Sequence, residues 1–589
     1  MAAPSQGALA ELRRLIPYLR RYQKRVAWGL VFITVSNICS TTIPRLVGKT
    51  VDTLQHASFT EGEVLLLMAQ ILLLTIGSGL GMFATRRTII VTSRFVEEDL
   101  RNDFLAAIQV QSQRFYHDRT TGSLLAHFTN DIASVREFIG PAIMYSANTV
   151  TTFLFVLSWM IYIDGLLTMA IVIPIPFIAW ATYTLGRKIH FQYRTVQEQY
   201  ELVTTQAQEA FSGIRVVRAY DREENEARRF NTISHDYYTK NMSLAKINSL
   251  MMPAMTVLFN LAYIVVIALG GMRIINNSLT VGELTQFFIY LNQLIWPVAA
   301  IGWVTGMIQR GAASMGRLGT IMDTVPSIRN TDLTDHTIET ITGAVAYNSV
   351  SLTYDGDPDN FVIKDVQLNI PAGTSLGVLG GVGSGKSTLV NLIPRLYDVS
   401  SGVLTIDGHD IRTIPLHVLR HDVAVVPQES FLFSETIKEN VRFGRPDATD
   451  DEVMRAAHIA QLDNDVKDFL QGYDTVVGER GVTLSGGQKQ RTALARAILC
   501  DPAILILDDA LSAVDTDTEA RILKGLTSVM RGRTTIIISH RISTLKHCTN
   551  IIVLDDGRIV EQGSHQELVA ANGKYAETFE RQQLEEELA

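Results

Sequence analysis

The sequence predicts an α-helical membrane domain of six long transmembrane helices that extend into the cytoplasm, followed by an α/β P-loop nucleotide-binding domain. Three observations predict it. Six stretches without a charged residue follow one another in the first 310 positions, an apolar strand runs into the phosphate-cradle motif GGVGSGKS, and charge divides unevenly along the chain. Of 589 residues, 47% are hydrophobic and 19% charged, with a mean hydropathy of +0.15, too apolar for an ordinary soluble enzyme. Positions 1–330 hold 29 Lys and Arg against 22 Asp and Glu, and positions 331–589 hold 23 against 38. A basic part followed by an acidic one fits a membrane half and then a soluble half, and the acidic half argues against nucleic acid as a partner. The three cysteines, Cys39, Cys500 and Cys548, have neither metal-ligand spacing nor the look of a disulfide framework.

The first 25 residues are polar and basic and show no cleavable signal peptide. The charge-free stretches are Val26–Pro44, Val64–Thr85, Phe138–Ile163, Gly165–Gly186, Ile247–Met272 and Leu284–Gln309. Each is long enough, or nearly so, to cross ~30 Å of hydrocarbon. The N-terminal tail carries six Lys and Arg, the Arg86–Glu137 loop seven and the Arg187–Lys246 loop ten, whereas the alternate connections hold only Arg45, Lys49 and Arg273. The positive-inside rule places the first set in the cytoplasm, and an even number of spans keeps the C-terminal half there. Both inner loops have helical spacing and few breakers, so the membrane helices are expected to continue inward and turn near Phe115–Leu124 and Phe211–Asp221. From spacing alone, soluble helical hairpins without a coupling role fit equally well. The expected boundaries are a cytoplasmic segment 1–25, a six-span domain 26–310, a linker 311–344, a nucleotide-binding domain 345–580 and an acidic tail 581–589.

In the second half, Gly380, Gly381, Val382, Gly383, Ser384, Gly385, Lys386 and Ser387 fit G-x-x-x-x-G-K-[ST] between the strand SLGVLG and the helical TLVNLIPRL, which starts at Thr388. Glycines let backbone N–H groups close around phosphate, Lys386 reaches the outer phosphates, and Ser387 is a magnesium ligand. Asp508, ending the apolar AILIL, is the second carboxylate that organises magnesium. Gln428, in VVPQES, is a candidate for magnesium or water, and His540, closing TTIIISH, for a γ-phosphate contact; either could instead be structural. A second glycine-rich helix start, LSGGQ at Leu484, Ser485, Gly486, Gly487 and Gln488, is one more anion cradle than a single nucleotide needs. The economical reading is that it faces a nucleotide held by another subunit.

At these residues the chain resembles the ATP-binding cassette (ABC) exporters of the P-glycoprotein-like type, with six spans and one cassette per half-transporter. LSGGQ matches the family signature, Gly380–Ser387 the Walker A motif, Asp508 the end of Walker B, Gln428 the Q-loop and His540 the switch histidine. Ser512–Asp515 matches the D-loop, Tyr354 the aromatic residue that stacks on adenine, and Gly478–Gly481 (GERG) the exporter X-loop. The resemblance implies two such chains with two ATP molecules between them, each held by one chain's Walker motifs and the other's signature. It also implies coupling helices at the inner turns. The setting it implies is a multi-pass translocase of a bacterial inner (plasma) membrane, with the cassette cytoplasmic and ATP and Mg2+ as cofactors.

One residue departs from the pattern. Asp509 stands where the family has its catalytic glutamate, and its shorter side chain withdraws the carboxylate by roughly 1 Å from the attacking water. Heterodimeric exporters show this departure in one subunit, so the expectation is the degenerate-site chain of a heterodimer that completes a competent site with its own intact signature. The alternative is a homodimer, such as a lipid flippase or exporter, with two slow sites. No charge lies within the spans, which argues against an internal proton relay; Phe259, Asn260, Asn292, Gln293, Trp296 and Trp303 offer polar and aromatic surface suited to amphipathic drugs or lipids. An ATP-gated channel or regulator would share these motifs, whereas a soluble repair-type ATPase would lack the spans.

Overall fold

The computed structural model describes residues 6–55, 60–173, 175–354, 357, 360–478, 481 and 484–588. They fall into two compact units, one drawn from 1–109 and 122–324, the other from 110–121 and 325–589.

The first unit is helical. Its long helices are α1 (Gln23–Gln55), α2 (Glu61–Thr85), α3 (Val91–Gln109), α4 (Ile143–Ile163), α5 (Ile175–Ser212), α6 (Glu223–Ile275) and α7 (Val281–Met322). Among the described residues four helical runs are long and apolar enough to span a membrane: Gln23–Gln55, Glu61–Gln109, Thr121–Ile163 and Val281–Met322. The charge-free stretch 247–272 lies inside α6, whose apolar end is Asn260–Ile275. The stretch 165–186 falls on a short helix, Gly165–Val172, and the start of α5; Pro174 between them lies outside the described residues. On α2, Leu65, Leu66, Leu72, Leu73 and Leu80 are exposed, a face that only lipid or another apolar partner covers. The 53 residues of α6 reach ~80 Å at ~1.5 Å per residue, far beyond a ~30 Å bilayer, so its charged first half extends past the membrane. The inner turns are built as short helices, Gln113–His117 and Ile214–Ala219. The first belongs to the second unit, where Ser327 donates to the Ser112 hydroxyl at 2.8 Å.

Small residues set the helix crossings. A Cβ added to Gly282 of α7 would stand 2.1 Å from the Gly48 carbonyl of α1, and the two backbones therefore meet directly. Asp52 fixes that crossing by accepting from the Gly282 N–H at 2.7 Å and the Thr280 hydroxyl at 2.8 Å. At the same end, Asp164 caps the helix Gly165–Val172 through the Leu167 N–H and pairs with Arg273 at 2.9 Å, so it is buried rather than displayed. A cleft of about 360 Å³ opens beside α6 and α7, lined by Tyr263, Phe288, Ile289, Asn292 and Gln293.

Two of the expected segments carry helix. The linker expected from 311 is helical as far as Met322, because Ala312, Met315, Leu318 and Ile321 recur at helical spacing and are buried. The acidic tail expected from 581 is the end of the helix Lys574–Leu588.

The second unit has two sheets. β1 (Val345–Leu352), β2 (Ile363–Ile370), β4 (Ser401–Ile406) and β5 (His409–Asp410) form an antiparallel sheet in the order β2-β1-β4-β5. β3 (Ser375–Gly380), β6 (Val423–Val426), β7 (Ile504–Asp508), β8 (Thr534–Ile538), β9 (Asn550–Asp555) and β10 (Arg558–Gly563) form the other, in the order β10-β9-β3-β8-β7-β6. Every pairing from β9 to β6 is parallel. Alternate residues of its central strands feed two cores: Leu376, Val378, Ile504, Ile506, Ile536 and Ile538 join the core that holds β1, β2 and β4, while Leu379, Leu505, Leu507 and Ile537 join the core of helices on the opposite face. Continuous apolar runs such as ILIL follow from burial on both faces.

Candidate active site

The order β3-β8-β7-β6 lines up the chain segments that leave the C-terminal edge of the sheet, the edge where open α/β sheets bind ligands. The P-loop leaves β3, His540 follows β8, Asp508 ends β7 with Asp509 directly after it, and Gln428 follows β6. Register holds them together: Val378 pairs with Ile538, Ile538 with Asp508, and Leu507 with Val426.

The P-loop turns through Gly383 (φ +78°) and Gly385 (φ +97°), left-handed conformations that glycine adopts without strain. It opens directly into α8 (Lys386–Asn391), so the backbone N–H groups of a helix start converge with the loop. Ser384 donates to the Gly381 carbonyl at 3.0 Å. Lys386 is buried, and its ammonium donates to the carbonyls of Gly380 and Gly381 at 2.9 and 2.7 Å. Burial pulls its pKa down, opposed by the charges of Asp508 and Asp509. Asp508 is 6% exposed, and burial pushes its carboxyl above the usual range; a hydrogen bond from Ser387 and the charges of Lys386 and His540 oppose that rise, while Asp509 adds to it. These cross-influences join Lys386, Ser387, Asp508, Asp509 and His540 in one electrostatic cluster.

Asp509 has φ +48°, and its backbone is pinned: the N–H donates to the Ile538 carbonyl at 3.0 Å, and the carbonyl accepts from the Ser512 hydroxyl at 2.9 Å. Gln428 and His540 are both exposed. Tyr354 lies edge-on to Tyr397, centroids 5.0 Å apart, and its hydroxyl is 2.9 Å from that of Thr388 beside the P-loop. Ser485 caps α9 (Gly486–Leu499) in a reciprocal box with Gln488: the Gln488 N–H donates to Ser485 Oγ at 3.3 Å, and the Ser485 N–H to Gln488 Oε1 at 2.9 Å. Leu484 and Gly487 are buried, while Ser485 and Gly486 are exposed at the helix start. In the GERG motif, Glu479 and Arg480 lie outside the described residues.

Residues 26–298 match the family model for the ABC transporter transmembrane region, and residues 363–512 the model for the ABC transporter itself. The probable multidrug resistance ABC transporter ATP-binding/permease protein YheI of Bacillus subtilis (strain 168) is 36% identical over 97% of this chain and 98% of its own. The chain belongs to the ABC exporters. The ATP-dependent lipid A-core flippase of Syntrophus aciditrophicus (strain SB) is 33% identical over 98% of the exporter and 95% of the flippase. A solved bacterial Atm1-family ABC exporter with ATP bound superposes with a TM-score of 0.81 at 29% identity, covering 96% of this exporter and 99% of that chain. The exporter is thus an integral membrane protein that binds ATP through its cassette and is driven by it. Of the sequence-derived cassette residues, Tyr354, His540 and the D-loop beyond Ser512 lie outside the stretch that the cassette model matches.

Several residues of the exporter escaped the sequence reading. The buried Arg491 pairs with Asp465 at 2.6 Å and anchors α9. The buried Glu519 holds Arg541 beside His540, and the Gln582 amide bridges the His540 carbonyl (2.6 Å) and the Ile542 N–H (2.9 Å). Gln490, also buried, bonds the segment after Asp509. Each partner is 22 or more residues away except Asp509, at 19, so no local pattern announces the pairing.

Proposed function

We propose that this chain exports amphipathic small molecules, drugs or lipids, by alternating access, as the degenerate-site half of a heterodimer in a bacterial inner membrane. The observation that carries the heterodimer reading is Asp509. It follows β7 directly on a pinned backbone, with a side chain one methylene shorter than glutamate, while the signature at Leu484–Gln488 is intact and capped. A chain built this way hydrolyses ATP slowly at its own Walker motifs and completes a fast site for a partner.

The geometry supports these roles. Backbone N–H groups of Gly381, Val382, Gly383, Ser384 and Gly385 take up phosphate oxygens, Lys386 leaves the loop carbonyls for the outer phosphates, Thr388 lies at the helix start, and Tyr354 presents its ring to adenine. Ser387 and Asp508, already hydrogen-bonded to each other, with Gln428 on the next strand end, offer the oxygen set that Mg2+ takes. The metal supplies charge neutralisation on the phosphates when bound. Asp509 receives a proton from the attacking water, and His540 orients the γ-phosphate. Leu484, Ser485, Gly486, Gly487 and Gln488 present a helix start to the partner's ATP. Closure of the two cassettes around ATP is favoured because that form binds nucleotide more tightly, and the difference drives the spans outward. Exposed Phe211, Val216 and Tyr220 at the second inner turn offer an apolar surface for the partner chain. The cleft at Tyr263, Phe288, Asn292 and Gln293 combines stacked rings with amides, which suits a molecule with apolar and polar ends.

The test is ATP turnover of the complex purified from its native membrane, with subunit composition determined first. In a heterodimer, Asp509→Asn changes turnover little, whereas Ser485→Arg nearly abolishes it by placing bulk and charge against the partner's ATP. An active dimer of this chain alone that Asp509→Asn inactivates overturns the heterodimer in favour of a homodimeric exporter. Electrogenic current without uphill transport would instead indicate a channel.

A further inference from the structure

Within this chain the signature segment and the D-loop are joined through a buried side chain. Gln490, on α9 five residues after Ser485, is 6% exposed. Its Nε2 donates to the Ser512 hydroxyl at 3.1 Å and reaches the Asp509 carbonyl at 3.5 Å, and its Oε1 accepts from the Ala513 N–H at 3.0 Å. Ser512 closes the ring by donating to the same Asp509 carbonyl at 2.9 Å. A second observation stands apart from these bonds. A Cβ on Gly487 would lie 2.9 Å from the Ala513 carbonyl, so the signature glycine rests directly on the D-loop backbone. The end of β7 and the start of α9 thus form one contiguous block.

We propose that Gln490 is a positioning residue that couples the nucleotide held by this chain's Lys386, Ser387 and Asp508 to the placement of Ser485 against the nucleotide held by the partner. The inference rests on the two-ATP sandwich of the proposed function. A shift of the backbone at Asp508 and Asp509 on nucleotide binding, carried with its hydrogen-bonded neighbours, displaces the Asp509 carbonyl. Gln490 and Ser512 share that carbonyl, so its moving while α9 stays still strands the buried Gln490 amide, at a cost that makes the helix start follow. The coupling is carried by hydrogen bonds and packing alone, and a methionine of similar length at 490 keeps the volume while removing the bonds.

The experiment uses the purified exporter in its native subunit composition, in lipid. ATP turnover is recorded against ATP concentration, and binding of a fluorescent ATP analogue is measured separately without divalent metal. The parent gives a Hill coefficient above one. Gln490→Met brings it to one and lowers maximal turnover by about two- to thirtyfold, with analogue affinity within about twofold. Gln490→Glu, which keeps the acceptor for the Ala513 N–H, recovers part of the loss. If Gln490→Met does not fold, Ser512→Ala, at an exposed position, shows the same change by a smaller factor. A parent coefficient of one, a coefficient unmoved by both substitutions, or parallel loss of binding and turnover overturns the coupling. The sandwich reading fails separately, if Ser485→Arg leaves turnover intact.

Discussion

Asp509→Glu weighs side-chain reach against backbone strain. The backbone at 509 is held against its neighbours, its N–H bonded to the Ile538 carbonyl at 3.0 Å and its carbonyl to the Ser512 hydroxyl at 2.9 Å, and a longer side chain at 509 leaves those bonds in place. Reach is therefore set by side-chain length, and one methylene restores roughly 1 Å. A misplacement of that size costs ~10²-fold in rate, or ~2.7 kcal/mol in the barrier. Against this stands the left-handed backbone, φ +48°, which aspartate tolerates better than glutamate. The penalty is at most ~1–2 kcal/mol, and it falls on the stability of the fold and not on the chemical step. Reach therefore wins. In a homodimer of slow sites, turnover should rise by about 10- to 100-fold. In a heterodimer the partner's competent site already dominates, and the rise should stay within about twofold, since two equal sites replace one. In both, the first thermal transition should drop by a few degrees, about 2–4 °C per kcal/mol for a domain of this size. The assay is phosphate release by the purified complex at saturating MgATP, beside a thermal scan. A tenfold fall in turnover with the fold intact refutes the reasoning, because it means that Asp509 reaches its water as it stands.

Three further outcomes follow from the same geometry. Burial raises the Asp508 carboxyl pKa, so the folded protein holds that proton to higher pH than the unfolded chain, and stability falls as pH rises from the ordinary carboxylate range through the raised folded value. Asp508→Asn should accordingly raise the melting temperature at neutral pH without nucleotide, while lowering turnover by about 10²-fold or more; scanning fluorimetry with and without MgATP checks both. For topology, Asn276→Cys, at an exposed turn beside the buried Asp164, should react with an impermeant thiol reagent on whole cells, while Arg222→Cys should react only after lysis, with Cys39, Cys500 and Cys548 replaced by alanine. Gly282→Ala should destabilise the membrane unit by about 1–3 kcal/mol, because its Cβ would lie 2.1 Å from the Gly48 carbonyl; the readout is the thermal transition of the detergent-purified protein.

The sequence by itself determined the parts of this protein whose chemistry is local. Absence of charge over a bilayer's length marks membrane helices, because hydrocarbon excludes charge wherever the neighbours lie. The P-loop and the capped signature are equally local: their glycines and hydroxyls answer to backbone geometry within a few residues, as the left-handed Gly383 and Gly385 and the Ser485–Gln488 box bear out. The limits of charge-free runs were poorer guides to helix ends, since α1 continues through Pro44 to Gln55 and α7 reaches Met322, and a helix does not stop where its surroundings become wet. What only the tertiary structure decided is which distant groups meet. Burial on both faces brings β3, β8, β7 and β6 side by side, and strand order alone puts Lys386, His540, Asp508 and Gln428 along one edge. The links of Gln490 to the D-loop, Gln582 to the His540 backbone and Asp52 to Gly282 join elements that are remote in sequence or follow different turns. Each is a buried polar group that takes whatever partner the packing offers, and packing is a property of the whole chain.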